Sequence, residues 1–411
     1  MVSELILYTP GHSLYTDTLI TYGITRPLVK ILDESEELEV LGTGSNYVIR
    51  VRGLDLKRLS EAVTEQMKKD SARFRRELIF VTKSEAETYL DGRIGLLSEK
   101  DVSNFISKFE DEAGLKSFLE SLQSPLHAQS EGKIVAGKIA KSKLKLPLMP
   151  TSGKYLAQDM TMVNKFSDDK YYRVCDYCAA FAAAGLCYGA LTAKLEKWVI
   201  IITLGFEGKV DGAVIKYTLS LIEDEVNALA GIRRGTKISD IGGPAPLSLE
   251  LSLATDSIPL RTLLQSMLCL FTDTAIRGFS ESNASWKALS VKFDASRAKS
   301  GNLQVRGYDE VLLDPVISAL ADLMRKSMMP DLRERIKKLL RASRSKGPES
   351  GDAITALESL FTFFQTRRIS DLYSFVRSYE VSMDRLYKSM KYKHSLSKKV
   401  CSELISLSRR L

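Results

Sequence analysis

The spacing of hydrophobic residues predicts a mixture of strands and helices in the first 300 residues. Short apolar or alternating runs predict strands at Glu4–Tyr8, Leu38–Leu41, Tyr47–Val51, Leu78–Val81, Trp198–Leu204, Ala213–Ile222, Leu247–Leu253 and Ala288–Phe293. Apolar residues three and four apart predict helices at Asp55–Arg76, Glu99–Phe109, Gly114–Leu122, Tyr172–Leu195 and Leu260–Ile276. One more helix follows the turn at Pro10-Gly11, with Ser13 as its cap and Gly23 at its end.

Two hairpins are predicted within this portion. The turn Gly42–Asn46 joins two strands, the second of which alternates Val48, Arg50 and Arg52 with apolar neighbours and so has a polar face. The second hairpin turns at Glu207–Lys209. The first turn could also hold a phosphate on its backbone N–H groups, but it lacks the Lys-Ser/Thr ending of a P-loop, which favours a plain hairpin.

After Tyr308 the strand signals largely disappear and helical spacing takes over. Four apolar stripes begin at Val316, Leu332, Ile354 and Leu372, and a polar linker is predicted at Ser343–Asp352. The predicted fold class is α+β, with a mixed α/β N-terminal portion and a C-terminal all-helical bundle. We expect an N-terminal α/β region at residues 1–125, a mixed α/β region at 126–305 that begins with a basic loop, and a basic helical bundle at 306–411.

The charge of the chain is concentrated at its C-terminal end. The formal net charge is +8, but the segment Ala321–Leu411 alone holds 20 Lys and Arg against 10 Asp and Glu. An excess of this size over about ninety residues is more than a small domain needs for solubility, and it is typical of a surface that binds a polyanion. The predicted nucleic-acid contacts on the outside of the last helices are Arg377, Arg385, Lys388 and Lys391.

A second basic segment, Lys133–Arg173, holds nine basic and three acidic residues. Its first part is rich in Gly, Ser, Lys and Pro, which predicts a long loop at 126–154. Lysines on such a loop suit phosphate contacts, and nearby aromatic residues could stack on unpaired bases; the alternative is an ordinary solvated loop. The predicted contacts in this segment are Lys133, Lys138, Lys141, Lys143, Lys145 and Lys154.

Cys175, Cys178 and Cys187 form the most metal-like pattern, because CxxC spacing brings two thiolates within reach of one Zn²⁺. No nearby Cys or His supplies a fourth ligand. We therefore predict small buried residues in a tightly packed helix and no bound metal or other cofactor, with zinc as the alternative.

Catalysis is not predicted from the remaining residues. The three histidines, His12, His127 and His394, lie far apart in the sequence, and no HExxH or GxSxG motif occurs. No apolar run reaches the length of a membrane span and no secretory signal is visible, so we expect a cytoplasmic protein without a membrane contact.

Two segments of the chain resemble a known family. Leu7-Tyr8-Thr9-Pro10-Gly11-His12-Ser13, followed by Asp17 and Gly23, and the segment Cys175–Gly189 are similar to the large subunit of the archaeal type I-A CRISPR interference complex, a Cascade-type assembly. The resemblance implies a non-catalytic subunit that binds the crRNA guide and the target DNA, is associated with sensing the protospacer-adjacent motif, and contacts the other Cascade subunits and a helicase-nuclease. It carries over no motif-reading residue to a position of this chain.

Two alternatives stay open at the level of the sequence. The chain could be a metal-dependent enzyme that processes nucleic acid with the cluster of Cys175, Cys178 and Cys187. It could also be a scaffold whose basic bundle docks an acidic protein.

Overall fold

The computed structural model describes residues 4–32, 38–79, 97–124, 175–195, 198–230, 258–294, 304–343, 345, 347–387 and 398–408. The chain divides into two compact units, Met1–Gly235 with Ser282–Glu310, and Thr236–Glu281 with Val311–Leu411. Strands from both sides of residue 125 lie in one sheet of the first unit, and the predicted division into three regions stays a prediction. The predicted loop at 126–154 lies outside the described residues.

The first unit is built on a seven-stranded sheet in the order β1-β3-β2-β5-β6-β7, with β4 also paired to β5. The strands are β1 Glu4–Tyr8, β2 Leu38–Gly42, β3 Tyr47–Arg52, β4 Ala190–Leu195, β5 Trp198–Asp211, β6 Asn283–Asp294 and β7 Gln304–Leu312. β6 pairs antiparallel with β5 along Trp198–Lys209, so β4 and β2 share the other edge of β5. The sheet with its covering helices confirms the α+β class.

A central helix covers one face of this sheet. The helices of the first unit are α1 Leu14–Ile31, α2 Leu56–Leu78, α3 Glu99–Glu110, α4 Glu112–Ser121, α5 Asp176–Gly189 and α6 Gly212–Ala230. Every residue of α1 from Leu14 to Leu28 is buried, as expected for a helix enclosed on all sides. The Tyr22 hydroxyl donates to the carbonyl of Leu204 in β5 at 2.6 Å, which ties α1 to the sheet.

Gly23 does not end α1, so that prediction was wrong, whereas Ser13 caps the helix as predicted. Gly23 lies inside α1, where its Cα faces the backbone carbonyl of Phe181 in α5. Gly185 of α5 faces the backbone of Leu19 in the same way. A glycine inside a helical pattern can mark a close helix contact as well as a helix end, and here it marks the contact.

A polar network joins four helices beside this contact. Arg73 Nε donates to Glu77 Oε1 at 2.8 Å, and both side chains are largely buried. Arg26 lies 2.7 Å from Glu223, and the guanidinium groups of Arg26 and Arg73 each lie 5.7 Å from the ring centroid of Tyr188. Because burial lowers the pKa of Arg73 less than the neighbouring carboxylates raise it, the guanidinium stays charged.

The predicted hairpin at Glu207–Lys209 was wrong. β5 continues through this segment with both of its edges paired, and α6 follows it directly. Ile215, Leu219 and Ile222 are buried in α6 at intervals of four and three residues. This spacing is helical, so the strand predicted at Ala213–Ile222 was wrong. An apolar run of about ten residues is compatible with either a buried helix or a strand.

Other elements of the structure begin or end at residues that differ from the prediction. Ala190–Leu195 forms β4 rather than the last turns of a helix, because it pairs with the first half of β5. Leu78 ends α2, and Ile79 forms an isolated parallel bridge with Leu97. The predicted strand Leu247–Leu253 lies outside the described residues.

The second unit is helical in its described part. Its helices are α7 Leu260–Leu270, α8 Asp273–Glu281, α9 Asp314–Arg325, α10 Met329–Ala342, α11 Glu349–Thr366, α12 Ile369–Tyr387 and α13 Lys398–Ser408. The single helix predicted at Leu260–Ile276 is two helices, and the linker predicted to reach Asp352 ends where α11 begins. Most residues of the predicted apolar stripes are buried, among them Leu320, Ile336, Leu360, Phe364, Phe375, Tyr379 and Met383.

Within the described residues, each helix is either too short or too polar to cross a lipid bilayer.

Candidate nucleic-acid interface

α12 presents one face to the bundle and another to solvent. Phe375 and Tyr379 are fully buried, and Ser382 Oγ donates to the carbonyl of Glu349 in α11 at 3.0 Å. Arg377 lies on the opposite side and is exposed, as the sequence predicted. Among the described residues, none forms a hydrogen bond or ion pair with its guanidinium.

Arg385, the second predicted contact on α12, has a structural partner. Its guanidinium forms an ion pair with Asp352 near the start of α11, and Nη1 lies 3.5 Å from the carbonyl of Pro348. This contact holds the end of α12 against α11 and leaves Arg385 less free than Arg377. The predicted contacts Lys388 and Lys391 lie outside the described residues.

Some of the arginines of the bundle form contacts between its own helices. Arg335 Nη1 donates to the hydroxyl of Tyr379 at 3.0 Å, and its guanidinium lies 5.4 Å from the centroid of that ring. Arg333 donates to the carbonyl of Phe271 at the end of α7 and to Asp273 at the start of α8. A count of basic residues therefore overstates the charge that faces a ligand.

Two exposed residues of α12 were missed by the sequence analysis. Tyr373 is 70% exposed and Ile369 is 60% exposed, next to Arg377 on the same helix face. The signal was present in the spacing, because both residues fall outside the stripe that starts at Leu372. The sequence interpretation named only basic residues as exposed contacts on this helix, so Ile369 and Tyr373 received no assignment.

The lysines of the predicted basic loop are not placed by the structure. Lys133, Lys138, Lys141, Lys143, Lys145 and Lys154 all lie outside the described residues. Their contact with nucleic acid stays a prediction.

The three clustered cysteines cannot share one metal ion. Cys175 caps α5, where its Sγ accepts from the backbone N–H of Cys178 at 3.2 Å, while Cys187 lies at the far end of the helix. Twelve residues of helix span about 18 Å, whereas zinc–sulfur bonds are about 2.3 Å long. Burial raises the pKa of Cys187 well above its usual value, so its thiol is protonated. Both facts favour the packing interpretation.

The buried side chain of Asp17 holds the loop Thr9–Ser13 in place through hydrogen bonds. The carboxylate of this fully buried residue accepts from the backbone N–H of Gly11 at 2.9 Å and from that of Ser13 at 3.0 Å. Burial raises the pKa of Asp17 to about 6, although the hydrogen bonds oppose this shift. These N–H groups at the start of α1 are directed at Asp17, and the carboxylate takes the place that a bound anion would have.

The turn Gly42–Asn46 is a hairpin turn, as predicted. The N–H of Thr43 donates to the carbonyl of Asn46 at 2.9 Å, and the Asn46 side chain lies within 3.4 Å of the carbonyl of Thr9. The turn thus bonds to itself and to the Thr9–Ser13 loop. This arrangement supports the plain hairpin over the phosphate-binding alternative.

The two segments that carried the family resemblance lie against each other. The first continues from β1 into α1, and the second is α5, whose Gly185 approaches the backbone of Leu19. Gly189 at the end of α5 lies against the ring of Tyr22. Gly23 of the first segment and Gly185 and Gly189 of the second therefore lie at a helix contact in the core of the first unit.

Comparison with known proteins gives two matches. The sequence model of a family described as "CRISPR-associated protein (Cas_Csa4)" matches residues 5–392. A protein of Thermoproteus tenax described as "CRISPR system associated protein Cas8" is 26% identical over 200 residues, which cover 46% of this chain and 53% of that protein. The chain thus spans about half the length of this curated relative.

Proposed function

The chain belongs to the CRISPR-associated Cas_Csa4 family, and from this membership we propose that it is the non-catalytic, nucleic-acid-binding large subunit of a type I-A Cascade complex. The family match agrees with the relationship predicted from the segments around Asp17 and Cys178. In the proposed role the subunit contacts the crRNA guide and the target DNA of an antiviral surveillance complex.

The proposal includes a division of labour between RNA and protein. Base pairing with the guide reads the target sequence, while the protein reads the short protospacer-adjacent motif and the nucleic-acid backbone. The subunit also joins the other Cascade subunits and brings the helicase-nuclease to the target. Each of these roles needs surfaces that bind without breaking a covalent bond.

The observation that carries the nucleic-acid proposal is the exposed charge of the second unit. The segment 321–411 holds 20 Lys and Arg against 10 Asp and Glu, and Arg377 lies exposed on α12 without a described partner. Arginine side chains on a helix surface neutralise phosphates and release their counterions. The arrangement suits contact with a polynucleotide backbone.

The non-catalytic part of the proposal is supported by the cysteines. Cys175 and Cys187 lie too far apart for a shared zinc ion, and the thiol of Cys187 is kept protonated by burial. A protonated, buried thiol is a poor nucleophile. These observations argue against the alternative of a metal-dependent enzyme that uses the three cysteines as ligands.

Titration tests the proposal directly. The full-length chain is added to labelled single-stranded RNA, single-stranded DNA and duplex DNA at several salt concentrations between about 50 and 200 mM. We expect the logarithm of the affinity to fall linearly with the logarithm of the salt concentration. No binding, or binding that does not depend on salt, would contradict the proposal and favour the protein-docking scaffold.

Two further measurements separate the remaining roles. Incubation of labelled strands with the chain and a divalent cation should leave their length unchanged, and shortened products would contradict the non-catalytic assignment. Co-expression with the other subunits and a guide should yield a complex that contains this chain and crRNA. If the chain elutes alone, the assignment as a Cascade subunit fails.

A further inference from the structure

The first two turns of α12 carry an exposed surface that the packing of the bundle does not explain. Ile369, Tyr373 and Arg377 follow each other at intervals of four residues, so their side chains are neighbours on one helix face. Arg368 precedes them and is also exposed. We call these four residues the α12 surface.

Large hydrophobic side chains are seldom this exposed in the described part of the chain. Those that are prominent on its surface are Tyr308, Leu312, Ile369 and Tyr373, and the last two have the largest exposed fractions, 60% and 70%. On α12 they stand one turn apart, on the side opposite the buried Phe375 and Tyr379. Two neighbouring exposed apolar side chains of this kind are typical of a surface that binds a ligand or partner.

The charge around this surface is positive. Arg377 follows Tyr373 by one helical turn, the exposed Arg368 immediately precedes α12, and Arg367 lies half-buried at the end of α11. Asp322 of α9 interacts with Arg367 and also forms an ion pair with the exposed Arg325 at 3.0 Å, which places the end of α9 beside the same turn. Asp371 in the first turn of α12 is half-buried and accepts from the hydroxyl of Thr366, and the exposed acidic residues of the helix, Glu380 and Asp384, come after Arg377.

An exposed aromatic ring with exposed arginines before and after it along the chain suits one ligand chemistry in particular. Unpaired bases stack on aromatic rings without regard to sequence, while arginines hold the phosphates on either side. A base inside a duplex has both faces covered by its neighbours and cannot stack on a side chain without being turned out. The surface therefore distinguishes unpaired from paired nucleic acid.

We propose that the α12 surface binds an unpaired nucleotide, with the base stacked on Tyr373 and its phosphates held by Arg368 and Arg377. Ile369 contacts the sugar or the edge of the base. This inference rests on the proposed function and adds to it the residues that select single strands.

The test compares variants of the full-length chain on an unpaired DNA oligonucleotide and on its duplex. Tyr373→Ala should weaken binding of the unpaired strand by about fivefold to 100-fold, the range for one lost stacking contact, and leave duplex binding unchanged. Tyr373→Phe is the matched control, because it keeps the ring and should bind as the wild type does. The melting temperatures of both variants should equal that of the wild type, since the side chain is exposed.

A second readout follows the stacking itself. In Tyr373→Trp the new indole should lose fluorescence when the unpaired oligonucleotide is added, and the duplex should change it little. If Tyr373→Ala binds the unpaired strand as tightly as the wild type, the inference is overturned while the proposed function stands. If the wild type binds neither the unpaired oligonucleotide nor the duplex, the inference and the proposed function are both overturned. If the variant only abolishes self-association or capture of an acidic protein, the surface has another occupant and the inference is likewise overturned.

Discussion

Gly23 in α1 and Phe181 in α5 meet so closely that a Cβ on Gly23 would overlap the carbonyl oxygen of Phe181. Gly185 meets Leu19 in the same helix pair, so α1 and α5 approach along their backbones. Helices at this distance exclude side chains from the contact. The stability of the first unit should therefore depend on these two glycines in a way that helix propensity does not predict.

Alanine at position 23 should destabilise the chain. Gly→Ala in a helix ordinarily gains up to about 1 kcal/mol, but overpacking costs about 1 to 3 kcal/mol, and here the obstacle is backbone that cannot move aside alone. The matched control is Gly351→Ala in α11, where a Cβ would meet nothing within 4 Å. Urea unfolding should show Gly23→Ala below and Gly351→Ala at or above the wild type. Equal gains in both variants would show that the helices can separate without cost.

Two ion pairs on α2 allow a comparison of a buried, networked pair with an exposed one. Arg73–Glu77 at 2.8 Å and Lys69–Glu65 at 2.7 Å have the same spacing, but the first is 14% and 5% exposed and the second 65% and 67%. Arg73→Met leaves the buried Glu77 with only the more exposed Arg76, 3.4 Å away, as an ion-pair partner, which should cost about 3 kcal/mol of unfolding free energy. Lys69→Met should leave the unfolding free energy nearly unchanged, because Lys69 and its partner Glu65 are both exposed. Similar losses in chemical denaturation would show that the network around Arg73 contributes no more than a surface pair.

Sequence patterns predicted the fold where a segment's own residues decide its structure. The Ser13 cap, the hairpin around Gly44 and the stripe through Phe375 and Tyr379 needed only local spacing, and the structure confirms them. The predictions failed where a distant partner decides. Ala190–Leu195 is a strand because the first half of β5 pairs with it, and its own composition continues the alanine-rich helix before it.

The candidate site was predicted less completely than the fold. Arg377 was predicted to be exposed because it falls outside an apolar stripe, and the structure places it on the surface, whereas its contact with nucleic acid stays a prediction. Tyr373 was missed because only basic residues were considered as surface contacts. The ion pair that occupies Arg385 could not be predicted, since the contact with Asp352 depends on how α11 lies against α12. Charge counts identify a basic domain, but only packing separates the arginines that hold the bundle from those that face a ligand.

The buried Asp17 should make stability depend on pH. Burial raises its pKa from 3.8 to about 6, so the folded chain binds this proton more tightly than the unfolded chain does. The free energy of unfolding that Asp17 contributes is thus greatest below about pH 4 and is lost as the pH rises through about 6. Asp17→Asn should remove this part of the decline when melting temperature is followed from about pH 4 to 7.

The pKa of Asp111 is shifted in the opposite direction from that of Asp17. Hydrogen bonds from the N–H of Gly114 and the hydroxyl of Tyr177 lower its pKa, so its contribution is present above the unfolded pKa and is lost as the pH falls. Asp111→Asn should therefore change the acidic end of the curve and leave the decline toward pH 6 in place. An Asp17→Asn variant that keeps the full decline would assign it to another group.

Arg377 and Arg385 should separate binding from stability within one helix. Arg377→Ala removes a cation without a described partner, so the melting temperature should stay unchanged while the salt dependence of nucleic-acid binding falls by about 0.7 to 0.9 in slope. Arg385→Ala removes the partner of Asp352 and should lower the unfolding free energy by about 0.5 to 1 kcal/mol. The double variant with Asp352→Ala isolates that pair, because the loss should then be smaller than the sum of the two single losses. A stability loss for Arg377→Ala with an unchanged salt slope would reverse the two assignments and move the interface off this face of α12.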